Sequence, residues 1–339
     1  MSGLTWVNGR FVPPGEACLE AGERGFLFGD GLFETVRLYG DRAPAWPRHA
    51  ARLAEGCRTL GIPYPEVEIA AGLEAVLAAV NRSQNQEVGC LKKDLKAESC
   101  IRSGGAGSSG PGAPEADEAP GAGRATGADG AGSLRLTVTR GAHPPGVRGL
   151  LPHRELRPTV VITANPGEPY PPDAYRSGMR AVTVSFPRNH LSPLVRLKSL
   201  NCLENVLGRR EAMAAGADEG IFFNTRGELA EGTVSNVFLL FDGDRLVTPP
   251  VGSGLLPGIA REIVLAVGGA LGLAVSEEAA RRRDFENARE AWLTNSLLEV
   301  MSLVSLDGVP VGNGRPGEIA CRVRQAYRDY VQRYFRQGF

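Results

Sequence analysis

No apolar run in this 339-residue chain reaches the roughly 18 residues that a membrane-spanning helix needs. Charge of one sign is equally missing: 38 Lys and Arg balance 38 Asp and Glu. A net charge of zero sets up no global field for nucleic acid or an anionic membrane, so neither is expected as a partner. Histidine is scarce, with four residues at 49, 143, 153 and 190, and no spacing among them suits a metal site. The six cysteines (18, 57, 90, 100, 202 and 321) include no Cys-x-x-Cys pair, which argues against a disulfide framework or a zinc ribbon and for reduced thiols in a cytoplasmic protein. The N-terminal stretch from Met1 to Val12 has no basic segment followed by an apolar one, so no secretory signal is expected there. Gly29-Asp-Gly31 does not continue into a dinucleotide-binding glycine pattern, and no Walker-type Gly-Lys-Ser/Thr occurs.

What is present is enough apolar residue, 42%, for a large core divided between two domains. Glycine is abundant at 44 residues but concentrated. Residues 99–133 are nearly all Gly, Ala, Ser, Pro and acids, too poor in large apolar side chains to offset their ordering entropy. They are expected to be a disordered insertion. Before it, Leu4 to Val12 reads as a hairpin around Asn8-Gly9, and Gly31 to Leu38 as a strand. His49 to Leu60 and Val67 to Val80 carry helical apolar spacing. Beyond it, strands are expected over Leu134–Arg140, Thr159–Thr163, Ala181–Phe186, Gly220–Phe223, Val237–Phe241 and Ala291–Thr294. Helices are expected over Leu203–Ala215, from Pro257-Gly258 to about Leu271, and from about Pro316 to Phe335. Strict βαβ alternation is lacking, so a doubly wound parallel sheet is not expected. The expected division is a small α+β N-terminal domain of residues 1–98 plus about 134–155, the insertion 99–133, and a larger domain of residues 156–339.

Three features can carry chemistry. Lys198 sits between Leu197 and Leu200 just ahead of a helix, where loss of hydration favours the neutral, imine-forming amine. Glu231 opens a small-residue turn, Glu231-Gly-Thr-Val-Ser-Asn236, that runs into an apolar strand and can aim a carboxylate inward. Leu256-Pro-Gly-Ile-Ala-Arg261 offers free backbone N–H groups at a helix N-terminus, which suits a phosphate; Arg52 can add a positive charge and Ser296 a hydroxyl. Each feature alone is ordinary.

Their order along the chain is not. The blocks Phe28-Gly-Asp-Gly-Leu-Phe-Glu-Thr-Val-Arg37, His49-Ala-Ala-Arg-Leu53, Leu136-Thr-Val-Thr-Arg-Gly141, Arg196-Leu-Lys-Ser-Leu-Asn201, Glu231-Gly-Thr-Val-Ser-Asn-Val-Phe238, Leu256-Pro-Gly-Ile-Ala-Arg261 and Trp292-Leu-Thr-Asn-Ser296 together resemble the class-IV aminotransferase family, the fold-type IV enzymes of pyridoxal 5'-phosphate (PLP). The resemblance covers nearly everything except about residues 82–132. It implies a two-domain α+β / α/β fold like that of D-amino-acid aminotransferase, with a β-rich C-terminal domain and a homodimer acting on a small amino substrate. It also implies roles: Lys198 as the Schiff-base lysine, Glu231 at the pyridine nitrogen, Arg52, Ser296 and the backbone of Ile259 and Ala260 at the phosphate, and Phe33 and Thr35 in the substrate pocket. Arg148 is the guess for gripping a substrate carboxylate.

Within the family, three subgroups compete. The tyrosine that branched-chain aminotransferases place five residues after the lysine is replaced by Leu203. The Arg-x-His pair of D-amino-acid aminotransferases is missing after Arg140, and Arg188-Asn-His190 spells it in another place. The pattern Lys198, Leu200, Asn201, Leu203, Glu204 and the block Thr294-Asn-Ser-Leu297 are similar to 4-amino-4-deoxychorismate lyases. A lyase releasing pyruvate to give 4-aminobenzoate is therefore expected, with Thr35 as the candidate proton donor to the departing unit. An amino-acid aminotransferase with a keto-acid acceptor is the alternative, and a non-catalytic family member the remote one.

Overall fold

The computed structural model describes residues 3–16, 19–98, 131–147, 149–152 and 156–336, with the backbone alone for 83–98 and 334–336. Its chain builds two sheets. The first has five strands: β1 (Leu4–Val7), β2 (Arg10–Phe11), β3 (Gly31–Tyr39), β4 (Ala131–Thr139) and β5 (Thr159–Pro166), in the spatial order β2-β1-β5-β4-β3 with every neighbour antiparallel. Asn8 and Gly9 take positive φ at the β1–β2 turn, the conformation that an Asn-Gly hairpin uses. A short helix, α1 (Arg24–Phe28), leads into β3. Helices α2 (Trp46–Leu60) and α3 (Glu66–Glu98) cover one face of this sheet, where alternate strand residues such as Leu32, Leu38, Leu134, Leu136, Val160 and Ile162 meet Leu53, Cys57, Ile69, Leu73 and Val76. Full burial of each such side chain contributes about 1.5–3 kcal/mol.

The second sheet has nine strands: β6 (Met179–Thr183), β7 (Glu219–Phe223), β8 (Leu229–Gly232), β9 (Asn236–Phe241), β10 (Arg245–Thr248), β11 (Ala274–Glu277), β12 (Glu290–Asn295), β13 (Glu299–Leu306) and β14 (Val309–Pro310). The order is β11-β10-β9-β12-β13-β6-β7-β8, with β14 on β13. The sheet is mixed: β10–β11, β13–β6 and β6–β7 are parallel and its other pairs antiparallel. Its central strands are buried on both sides, so Val237 and Leu239 face one core cluster while Phe238 and Leu240 face another. That explains why β9 reads as a continuous apolar run rather than an alternating one. Helices α6 (Ile259–Ala270) and α7 (Glu318–Arg336) share the Phe238 side; α4 (Pro172–Ser177) precedes β6, and α5 (Leu203–Ala214) packs on β7.

The α+β architecture matches expectation, but several bounds differ: β6 spans Met179–Thr183 rather than Ala181–Phe186, and β13 was not expected as a strand. Strand β5 pairs with β1 and β4, so the first sheet extends to Pro166, past the expected division at residue 156. The block 99–133 lies outside the described residues except for its last three, which open β4 opposite the end of β3 and are a strand rather than part of an insertion. Helix α3 runs on to Glu98, well beyond Val80, because a polar and weakly periodic continuation hides from apolar periodicity.

Candidate active site

Strand β3 explains one side of the site. Its core-facing positions are Leu32, Glu34, Val36 and Leu38, so period-two alternation drives a carboxylate into an apolar face. Glu34 is fully buried and needs partners there. Helix α2 supplies them from positions three apart on one face: His49 Nδ1 lies 2.7 Å from Oε2, while Arg52 donates from Nε to Oε1 at 2.8 Å and from Nη2 to Oε2 at 2.7 Å. Burial alone would raise the Glu34 pKa, but the hydrogen bonds and charge of Arg52, with His49, hold it down at about 2. Burial also depresses the pKa of His49, against the pull of Glu34, so the imidazole is neutral near pH 7. The third nitrogen of Arg52, Nη1, donates to Pro257 O at 2.8 Å, which plants this guanidinium against the turn into α6.

The segment 198–200 joins the edge of β3. Phe33 N donates to Lys198 O at 2.9 Å and Leu200 N to Gly31 O at 3.0 Å. Lys198 Nζ then lies 4.6 Å from the Phe33 ring centroid. Loss of hydration, followed by the repulsion of Arg52, lowers the Lys198 pKa to about 8, with Glu34 and Glu231 pulling the other way. An amine so placed becomes half neutral at about pH 8, and the neutral form is the nucleophile.

Glu231 lies near the end of β8. Arg188 Nη2 donates to its Oε1 at 2.8 Å; Leu256 N (3.0 Å) and Asn236 Nδ2 (3.4 Å) reach Oε2. Burial outweighs these partners and raises the Glu231 pKa to about 7. Asn236 also donates to Leu256 O at 2.9 Å, so one side chain ties the carboxylate turn to the approach of α6. Gly258 caps α6 without a side-chain hydrogen bond, leaving the N–H groups of its first turn available, and a Cβ on Gly258 would collide with Asn236 Oδ1. Ser296 follows β12 in a turn fixed by Asn295, whose Oδ1 accepts from Leu297 N at 2.9 Å and Leu298 N at 2.7 Å and whose Nδ2 donates to Val234 O at 2.9 Å. The buried Thr294 hydroxyl, cross-strand from Asn236, has no hydrogen-bond partner among the described residues.

The structure thus gathers Lys198, Glu231, Arg52, the α6 N-terminus with Ile259 and Ala260, and the Ser296 turn around the junction of the two sheets. An uncapped helix N-terminus beside a guanidinium, an orphaned buried hydroxyl, a part-neutral lysine and a buried carboxylate make a donor set that fits a phosphorylated pyridine aldehyde. The sequence profile of the amino-transferase class IV family matches residues 31–113 and 121–306. The chain belongs to the class IV aminotransferase family. It is a PLP-dependent enzyme of fold type IV, which sets aside a non-catalytic relative. It is 29% identical to a putative branched-chain-amino-acid aminotransferase of Methanocaldococcus jannaschii over 329 residues, 96% of this chain and 95% of that one. Among solved structures it is similar to 4-amino-4-deoxychorismate lyase from Pseudomonas aeruginosa (28% identity, 96% and 98% of the two chains, TM-score 0.69). It is also similar to the branched-chain aminotransferase from the archaeon Thermoproteus uzoniensis with norvaline (25% identity, 97% and 94%, TM-score 0.70).

Phe33 and Thr35 share the face of β3 away from the core, and strand pairing sets Arg135 beside Thr35. Arg135 lies 3.7 Å from the Phe33 centroid, and among the described residues no carboxylate pairs with it. Sequence reasoning named Arg148, which lies outside the described residues, and missed Arg135. Its signal was a charge in the alternating strand Leu134-Arg-Leu-Thr-Val, on the same face as Phe33. Glu34 and Asn236 were quoted in motifs without a role. Arg188 and His190 do not form a substrate grip: Arg188 is bound to Glu231 and Glu204, and His190 lies 3.1 Å from Thr225 Oγ1. Among the described residues no cluster suits a metal, and no helix is long and apolar enough to cross a membrane.

Proposed function

We propose that this class IV enzyme is a 4-amino-4-deoxychorismate lyase, releasing pyruvate and leaving 4-aminobenzoate. The observation that carries this reading is the Thr35 hydroxyl. It is half-buried, has no partner among the described residues, and stands cross-strand from the unpaired Arg135 on the face that carries Phe33. Elimination of an enolpyruvyl unit needs a proton donor for the leaving carbon, and the substrate carries carboxylates that a guanidinium can fix. A simple transamination needs no such second donor.

Bound PLP supplies an electron sink for charge developing at the amine-bearing carbon. Lys198 tethers it, and its Nζ, with a pKa of about 8, takes the proton from that carbon. Glu231 holds a proton at the ring nitrogen. Arg52, the N–H groups of Ile259 and Ala260, and Ser296 hold the phosphate, and Arg52 is itself kept in place by Glu34 and Pro257 O. Arg135 orients a carboxylate of the substrate, and Thr35 holds the proton delivered to the departing carbon. Phe33 packs under Lys198 and excludes water.

An amino-acid aminotransferase is the second reading. The branched-chain relative favours it, as do D-alanine aminotransferases of similar identity, and Arg135 serves a keto-acid carboxylate equally well. The deciding experiment supplies 4-amino-4-deoxychorismate without any keto acid. Formation of equimolar 4-aminobenzoate and pyruvate supports the lyase; turnover only when 2-oxoglutarate or pyruvate is added overturns it. We also read the enzyme as a cytoplasmic homodimer. Support for the homodimer is a set of exposed apolar side chains, including Phe26 (78% exposed), Leu203 (71%) and Leu151 (80%), which a second copy would cover.

A further inference from the structure

Glu231 does not hold Arg188 to itself. The same guanidinium donates from Nη1 to Glu204 Oε2 at 2.5 Å while Nη2 donates to Glu231. Arg188 is buried, its Cζ lies 4.2 Å from the Phe222 ring centroid, and its peptide N–H is held by Phe223 O at 2.8 Å. Burial and the Phe222 ring hold its guanidinium beside both carboxylates. Among the described residues its Nε has no partner, and beyond a long 3.5 Å contact from Nη1 to Asn205 Oδ1 its side-chain hydrogen bonds all go to two acids. Glu204 lies in the first turn of α5 and is partly exposed. Two negative charges thus share one positive charge, and the trio carries a net negative charge when both acids are ionised.

We propose that Glu204 is a positioning residue that, through Arg188, sets how firmly Glu231 holds a proton beside the cofactor ring. Each fraction of the Arg188 charge that Glu204 neutralises is withdrawn from Glu231, which shifts Glu231 towards its protonated form. The other groups facing Glu231 are Lys198, the Leu256 N–H and Asn236. Lys198 in turn faces Arg52, Glu34 and Cys202. Arg188 is the cation that Glu204 and Glu231 have in common, so a change at Glu204 reaches Glu231 through it. The inference rests on the placing of Glu231 at the ring nitrogen.

The test uses holoenzyme and reads the pH midpoint of the bound cofactor's visible absorbance. Glu204→Gln removes a negative charge from a partly exposed position and should lower the midpoint by about 0.5 pH unit. Arg188→Met removes the positive charge and should raise it, and Arg188→Lys, which keeps the charge, should return it towards wild type. Opposite signs for Glu204→Gln and Arg188→Met mark an electrostatic relay; a purely packing role would shift both in one direction or neither. An unmoved or raised midpoint in Glu204→Gln overturns the proposal, even where Arg188→Met fails to fold. Glu231→Gln is the control for the underlying site. If it leaves the band's pH response intact, the placing of Glu231 is wrong; if it abolishes the response while Glu204→Gln changes nothing, only the relay fails.

Discussion

Two buried glutamates stand on either side of Lys198, and they have been tuned in opposite directions. Glu34, in the core face of the first sheet, is held at a pKa of about 2; Glu231, near the end of β8 in the second, is pushed up to about 7. Both are buried and both face an arginine, so neither burial nor pairing explains the contrast. The partners do. Arg52 grips Glu34 with two nitrogens and His49 adds a third contact, whereas Arg188 gives Glu231 one nitrogen and spends another on Glu204. A carboxylate with a bidentate cation is a fixed anchor. One with a shared cation can exchange its proton near neutrality, as a partner to a ring nitrogen requires.

Lys198 is the group both carboxylates act upon, and its loss should have the largest effect. Lys198→Ala should abolish borohydride-trappable PLP and cut turnover by ~10³-fold or more. Covalent trapping at another lysine would break the comparison at its centre.

The glutamates themselves should then separate. Glu34→Gln leaves the half-buried Arg52 without its counter-charge and weakens its charged hydrogen bonds to the core face of β3, so the apoprotein should lose about 2 kcal/mol, read by denaturant unfolding. Glu231→Gln replaces an acid already half-protonated near pH 7, so apoprotein stability should change by less than about 1 kcal/mol. Its turnover should nevertheless drop by about 10²-fold. Equal losses of stability in the two variants would erase the distinction between anchor and proton partner.

The smallest effect, and the sharpest in sign, is the pH dependence of apoprotein stability. The Glu34 pKa is depressed from its ordinary 4.5, so its contribution is full above pH 4.5 and is lost as pH falls towards about 2. The Glu231 pKa is raised from 4.5, so its contribution is full below pH 4.5 and is lost as pH rises through about 7. Lys198, lowered from 10.5 to about 8, costs stability at neutral pH, and that cost is relieved as pH rises from about 8 to 10.5. Unfolding measured against pH should show Glu34→Gln flattening the acid limb and Glu231→Gln flattening the decline between about pH 4.5 and 7. Crossed effects would assign the two carboxylates the wrong way round.

Much of this was legible beforehand. The apolar period of 3.6 marked α2, the Pro257-Gly258 opening marked α6, the alternation around Leu134 marked β4, and the apolar run Val237–Phe241 marked a strand. Short elements such as β8 and β10 escaped because four residues carry too little pattern. The extension of the first sheet to β5 escaped because strand pairing is not written in periodicity.

By itself, the sequence determined which groups the enzyme owns: a lysine between leucines, an acid before a small-residue turn, a glycine at a helix entrance, an arginine and a serine set far apart. Local spacing decides such features, since burial period and turn chemistry act over a few residues. Only the tertiary structure decided what those groups are worth. Arg52 faces Glu34 because α2 lies on β3. Among the described residues Arg135 meets no acid on its face of the sheet, and Arg188 is shared because β8 and the start of α5 converge on it. Charges far apart in the chain interact only when folding has removed the water between them, so the ionisation of Lys198 and Glu231 belongs to the fold.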